Sequence, residues 1–369
     1  MEQPQITGHQ LRLIIVSSIT VTGHLLFVPV VLNMAGRDGW LSLLMAIIPG
    51  LISASILTAL GLSASGQSLI ELSCTLMGKV LGKIAGLIYV GYFFLIPAIT
   101  LRALMNFMTE VFMLRTPSLI FGVIFLLVCG YATFMGLEIF LRANEVLLPL
   151  LIIAGILASS MSFPDKDYKH LLPIMEEGIS PVLLGSIPLI ALMAEIVVIG
   201  MIQPALSSPT VLRKANIGAV LIISALFVGP LTGPIAVFGV DLAAKHIYPT
   251  YEQIKYIKLA FIENLQPLAV LLWLAGSFGK ISLFYYASSL GAAQIFGLAN
   301  YRRLVIPVGV IILMLAVVAF PNIVVIRKFI SSSYAIISIG LGIIFPMVLL
   351  GIARLKNYGT FCRKNNPSP

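Results

Sequence analysis

Ten apolar blocks, each about as long as a bilayer is thick, fill this chain almost from end to end. Residues 39–70, 215–240, 304–326 and 329–353 contain no Asp, Glu, Lys or Arg. A hydrocarbon core of roughly 30 Å needs about 20 helical residues, so blocks of this length predict transmembrane helices. Turn residues divide them: Gly36-Arg37-Asp38-Gly39, Arg115-Thr116-Pro117, Phe163-Pro164-Asp165, Ser208-Pro209 and Phe320-Pro321-Asn322. The predicted helices lie near 10–33, 41–63, 81–112, 119–137, 144–162, 182–204, 215–240, 264–292, 304–321 and 333–354. The fold class expected is an all-α integral membrane protein of ten spans, and residues 1–369 read as a single transmembrane domain.

Composition agrees. Hydrophobic residues make up 59% of the chain and charged ones 10%, with a mean hydropathy of +1.06. A soluble domain carries about a quarter charged residues. The polar stretch 1–10 and the long first apolar block predict no cleavable signal peptide, and the block stays as helix 1. The net charge of +9 reports membrane topology rather than a nucleic-acid partner. Twelve Lys and Arg flank the spans on the N-terminal side and nine on the other, where most loop acids also fall. Both termini are therefore expected in the cytoplasm, with a short tail over about 355–369. Cys74, Cys129 and Cys362 fit neither a disulfide framework nor a metal site and read as packing residues. No Walker loop, zinc spacing or paired nucleophile appears, so no enzyme, cofactor or metal is expected. Glu138 and Arg142, four apart, read as a structural ion pair.

Charges inside the apolar blocks are the candidate functional residues, since each costs about 2.5–3.5 kcal/mol at the bilayer centre. Lys280 lies deep in helix 8, as a packed lysine satisfied by carbonyls or as a cation at a binding site. Glu195 lies in helix 6, and a charge there would need a partner, for which Lys280 is the obvious candidate. Arg102, in helix 3, either pairs with Glu110 or reaches the interface, or belongs with the charge-coupling residues. Helix 1 carries Ser17-Ser18-Ile19-Thr20-Val21-Thr22-Gly23-His24 and then Pro29, which removes an amide. This predicts either a mild kink or a break, and a break in lipid is tolerable only beside a cavity or ligand. Helix 6 carries a similar small-polar stretch and ends in Pro204. Long loops after helices 5 and 7, over 165–180 and 241–264, suggest two related halves, near 10–162 and 182–354.

Several segments together resemble the B subunits of the Ger-type spore germination receptors, in the amino acid–polyamine–organocation superfamily. They are Gly23 to Pro29 followed by Asp38-Gly39-Trp40; Leu81-Gly82-Lys83 with Arg102; and Arg115-Thr116-Pro117. Further along come Gly136-Leu137-Glu138 with Arg142, Leu172-Pro173 with Glu177-Gly178, Glu195 with Pro204, and Phe261-Ile262-Glu263 with Trp273 and Lys280. The likeness spans about residues 5–355. It implies a leucine-transporter-like fold of two inverted five-helix repeats, with helices 1 and 6 interrupted around a midplane site. It also implies a sensor of a small amino-acid-like nutrient in the spore inner membrane, partnered by a membrane A subunit and a lipoprotein C subunit. In that frame the ligand's carboxylate would meet amides near Thr22, Gly23 and His24. Its ammonium would meet carbonyls near Met193 and Ala194, and Tyr92, Ile96, Ser277 and Phe278 would complete the pocket. Lys280 would stand where sodium-coupled relatives of the fold hold a cation. One departure is His24, since relatives carry a Gly-Ala-Gly-like stretch at Thr22-Gly23-His24. A proton-coupled amino acid transporter and a purely structural membrane subunit are the competing expectations.

Overall fold

The computed structural model describes residues 5–63, 66–256 and 266–356. Phe261, Ile262, Glu263, Cys362 and most of the expected tail lie outside them. Nine helical stretches among the described residues are long and apolar enough to cross a membrane. The first, Gly8–Ser63, is 56 residues long, about 84 Å at 1.5 Å per residue, and so holds two spans. Gly36 divides it: at φ 53° its backbone is left-handed, which glycine adopts without a Cβ clash. The count is ten.

Helix 1 covers residues 8–35 and helix 2 Gly39–Ser63. Helix 3 is Lys79–Val111, helix 4 Ser118–Met135 and helix 5 Leu137–Met161. Helix 6 is Ile179–Ala205, helix 7 Leu212–Phe238 and helix 8 Gln266–Phe296. Helix 9 is Tyr301–Ala319 and helix 10 Ile323–Leu355. A short helix, Leu69–Met77, precedes helix 3, and two more, Val240–Lys245 and Pro249–Tyr256, follow helix 7.

Two boundaries differ from the sequence reading. Helix 5 starts at Leu137 rather than near 144, because Gly136, at φ 119°, ends helix 4 and lets the chain re-enter a helix at once. Glu138 and Arg142 thus sit in the first turns of helix 5, 3.5 Å apart and exposed. Helix 10 starts at Ile323 rather than near 333. The Asn322 side chain caps it by accepting from the Val325 amide at 3.0 Å. Arg327 and Lys328 therefore lie within the helix, near its end, where Arg327 donates to the carbonyls of His246 and Ile247. The expected bounds of helices 9 and 10 had left them between spans.

The centre of the bundle is helices 1, 3, 6 and 8. In its most apolar stretch helix 6 is 78% buried within the protein, against 22% for helix 5. With no water to compete for backbone groups, the outer helices offer apolar faces to lipid and the central ones can hold polar residues. On the N-terminal side, Thr7 and Gln10 form a capping box that starts helix 1. Just before it, the Ile6 amide donates to the Ala205 carbonyl at 2.8 Å, and the Ser207 amide donates to the Ile6 carbonyl at 3.1 Å. On the far side, the Tyr248 hydroxyl donates to Glu110 at 3.1 Å, and Asn33 donates to the Ala244 carbonyl at 3.1 Å.

Candidate functional site

Helices 1 and 6 both lose α-helical hydrogen bonding at half depth, in opposite ways. Helix 1 widens into a π turn over Gly23–Phe27, between the α-helical segments Gly8–Thr22 and Val28–Ala35. Helix 6 tightens into a 3-10 turn over Glu195–Val198. The interruptions fall where the small and polar residues predicted them, as altered helical turns rather than extended chain. π turns and mid-helix 3-10 turns concentrate at functional sites and hinges.

Between the two turns lies a buried ion pair. Lys280, near the middle of the 31-residue helix 8, donates to Glu195 Oε2 at 2.6 Å and to Thr22 Oγ1 at 2.5 Å. Lys280 and Glu195 are each 1% exposed. The other Glu195 oxygen accepts from the Tyr334 hydroxyl on helix 10. The Lys280 ammonium also lies 5.9 Å from the centre of the Phe284 ring. Taking both charges out of water costs several kcal/mol per ion, which their attraction and these extra hydrogen bonds must offset. A cavity of about 10 Å³ adjoins the pair, walled by Leu26, Phe27, Ile96, Ile99, Thr100 and Ile330 besides the polar residues. That is room for about one water.

Of the sequence-predicted site residues, Thr22, Ile96, Glu195 and Lys280 come together at this cavity. Tyr92 stands behind it, its hydroxyl donating to Ser338 Oγ at 3.2 Å. Ser277 is buried one turn before Lys280, its hydroxyl without a partner among the described residues. Phe278 is half-buried and packs against apolar side chains of the bundle core. Gly23 faces away: a Cβ built there would lie 1.9 Å from the Phe227 ring and 2.9 Å from Leu192. In this state its amide is bonded to the Ile19 and Thr20 carbonyls. Met193 packs against Gly50, and the Ala194 carbonyl against Gly342. His24 lies edge-on to Phe227 and lines a different, larger cavity. Arg102 does not reach the pair; its guanidinium donates to the Pro321 carbonyl between helices 9 and 10.

Helix 10 was the missing wall. It holds two π turns, Ile330–Tyr334 and Gly340–Ile344. The first presents Tyr334, and the second carries Leu341, whose carbonyl accepts from Tyr89 at 2.8 Å, and Gly342, whose carbonyl accepts from Ser53 at 3.0 Å. The sequence carried a signal for this in Ser331-Ser332-Ser333-Tyr334, Ser338, Gly340 and Gly342, small and polar residues inside an apolar span. Among the described residues no group of three His, Cys, Asp or Glu could hold a metal ion.

Ten spans around a polar site where helices 1 and 6 change their winding define a membrane protein of the leucine-transporter fold. Its architecture is similar to that of Mhp1, a nucleobase-cation-symport-1 family transporter solved in a closed conformation with bromovinylhydantoin bound. The TM-score is 0.65 at 14% identity, over 89% of this chain and 75% of that one. Likeness at that identity shows the fold alone. The chain belongs to the spore germination protein family, whose model matches residues 5–324. Spore germination protein XB of Bacillus anthracis is 28% identical over 75% of this chain and 78% of its own length. Spore germination protein KB of Bacillus subtilis (strain 168) is 27% identical over 87% of each.

Proposed function

We propose that this chain is the membrane-embedded B subunit of a spore nutrient germinant receptor. It binds a small amino-acid-like germinant at half depth and signals to a membrane A subunit and a lipoprotein C subunit to start germination. In this reading it sits in the spore inner membrane with both termini in the cytoplasm.

The observation that carries the ligand class is the buried Lys280–Glu195 pair. A cavity of about 10 Å³ is too small for any nutrient, so a ligand must part the pair. Removing one partner of a buried pair costs about 3–5 kcal/mol because a charge is left uncompensated. A zwitterion avoids that cost. Its carboxylate would meet the Lys280 ammonium and the Thr22 hydroxyl, and its ammonium would meet Glu195. A neutral sugar or nucleoside would leave both charges without a counter-ion.

Calorimetric titration of the purified protein in lipid nanodiscs with a panel of free amino acids tests this. Saturable heat with wild type and none with the double change Glu195→Leu with Lys280→Met, at equal protein folding, is expected. Binding of a neutral nutrient, with no response to any amino acid, would remove the reading. Spores carrying Glu195→Leu with Lys280→Met, in which no charge is stranded, should also lose the germinant response at normal subunit abundance. A proton-coupled amino acid transporter is the second reading, favoured by a buried carboxylate in a transporter fold. Concentrative uptake driven by a pH gradient in proteoliposomes would establish it.

A further inference from the structure

A second cavity lies away from the ion pair. It is a groove of about 340 Å³ on the opposite side of helix 1, between helices 5 and 7, with helix 8 at one flank. Thr20 and Thr22 are two residues apart, hence about 200° apart around the helix. Thr22 faces Lys280 while Thr20, Val21 and His24 floor the groove.

Three features define what the groove takes. Its walls are mostly apolar, from residues such as Leu148, Ile152, Leu226 and Trp273, and no Asp, Glu, Lys or Arg lines it among the described residues. The nearest charge, the Lys166 ammonium, stands behind Ser159 and is held by its carbonyl and hydroxyl at 2.9 and 3.2 Å. A charged ligand would thus meet no counter-charge on the lining itself, and burying one unpaired is strongly disfavoured. Three of its polar atoms lack a partner among the described residues. Thr20 Oγ1, on a residue only 6% exposed, together with His24 Nε2 and Thr250 Oγ1, is buried without a hydrogen bond. Lastly, the groove opens sideways. Its lining residues Ile156 and Ala225 are exposed, as are Ile153 and Val228 beside them, all on the faces that lipid covers. The end near the far surface is roofed by helix Pro249–Tyr256, where Gln253 donates to Ser162 Oγ at 2.9 Å and ties the roof to the end of helix 5.

We propose that this groove is a second binding site, for a neutral, largely apolar small molecule with one hydrogen-bonding head that both donates and accepts. The molecule enters from the bilayer, places its head between Thr20 and His24, and lays its apolar body along helices 5 and 7. A carboxamide on an aromatic ring meets every requirement.

Trp273 lines the groove and is one of two tryptophans, so Trp40→Phe leaves it as the sole indole, excited selectively at wavelengths where tyrosine does not absorb. The full chain in nanodiscs is titrated with 4-bromobenzamide, whose bromine quenches indole fluorescence. Saturable quenching is expected, and none with the anion 4-bromobenzoate. Gly155 lines the groove and a Cβ there meets nothing within 4 Å, so Gly155→Leu fills the space without a clash and should abolish the saturable component. Gly91→Leu, equally unobstructed but on the lipid face of helix 3, should leave it unchanged. Thr20→Val keeps the shape and removes the hydroxyl, and should weaken the apparent Kd about fivefold, the worth of one hydrogen bond. It decides the matter if Gly155→Leu fails to insert. Quenching that rises linearly without saturation, or that Gly155→Leu and Thr20→Val leave unchanged, would overturn the proposal. So would strong quenching by lipids brominated along the acyl chain that the amide does not relieve, since the occupant would then be an acyl chain.

Discussion

Helices 1 and 6 reach the same depth and both depart from α geometry there, yet one is underwound and the other overwound. The π turn of helix 1 rests against side chains: the Gly23 Cα faces the tip of the Phe227 ring and a Leu192 methyl. The 3-10 turn of helix 6 is held by charge and backbone. Glu195 opens it, bound to Lys280 and Tyr334, and the Ala194 carbonyl before it packs directly on Gly342 of helix 10. Side-chain tips yield at small cost, whereas a buried charge and a backbone contact do not. The helix 1 turn is thus the softer of the two, and helix 6 is the fixed frame against which it is set.

The largest test of that contrast is Glu195→Ala, which strands the Lys280 ammonium. A loss of about 3–5 kcal/mol is expected, read as a drop in Tm in detergent. Glu195→Leu with Lys280→Met should restore most of it, since no charge remains buried; equal Tm for wild type and Glu195→Ala would deny the pair any structural role. Next comes Gly342→Ala, whose Cβ would fall 2.3 Å from the Ala194 carbonyl oxygen. Rigid backbone must shift there, at about 3 kcal/mol, the upper end for overpacking. Tyr334→Phe removes a hydrogen bond to a carboxylate and should cost about 2 kcal/mol by the same unfolding measurement. The smallest effect belongs to Gly23→Ala, near 1 kcal/mol, because the Phe227 ring can turn aside. Phe227→Leu should rescue Gly23→Ala but not Gly342→Ala. If Gly23→Ala proved the costlier of the two glycine changes, the assignment of soft and fixed turns would be reversed.

Much of this was legible in the sequence. The ten spans follow from block length and turn residues, and Lys280 and Glu195 announced themselves by their cost in lipid. Even their pairing was the natural guess for two opposite charges in apolar helices. What could not be read was facing. Gly23 and His24 adjoin Thr22 in sequence, but a helix turns about 100° per residue, so neighbours point to different partners. Tyr334 stayed hidden because a tyrosine in an apolar span near a serine run carries no cost that demands explanation. Arg102 read as a charge that pairs with Glu110, reaches the interface or couples to the site, and its long side chain reaches the Pro321 carbonyl between helices 9 and 10.

The backbone bridge that fastens Ile6 to Ala205 and Ser207 has a mechanical consequence. The N-terminal-side ends of helices 1 and 6 are sewn together, while their mid-depth turns are free to differ. A tilt of helix 1 about its π turn, against the frame of helix 6, therefore cannot be absorbed at that end without breaking the Ile6 hydrogen bonds to Ala205 and Ser207. The bridge is a strap that ties the softer helix to the end of the stiffer one.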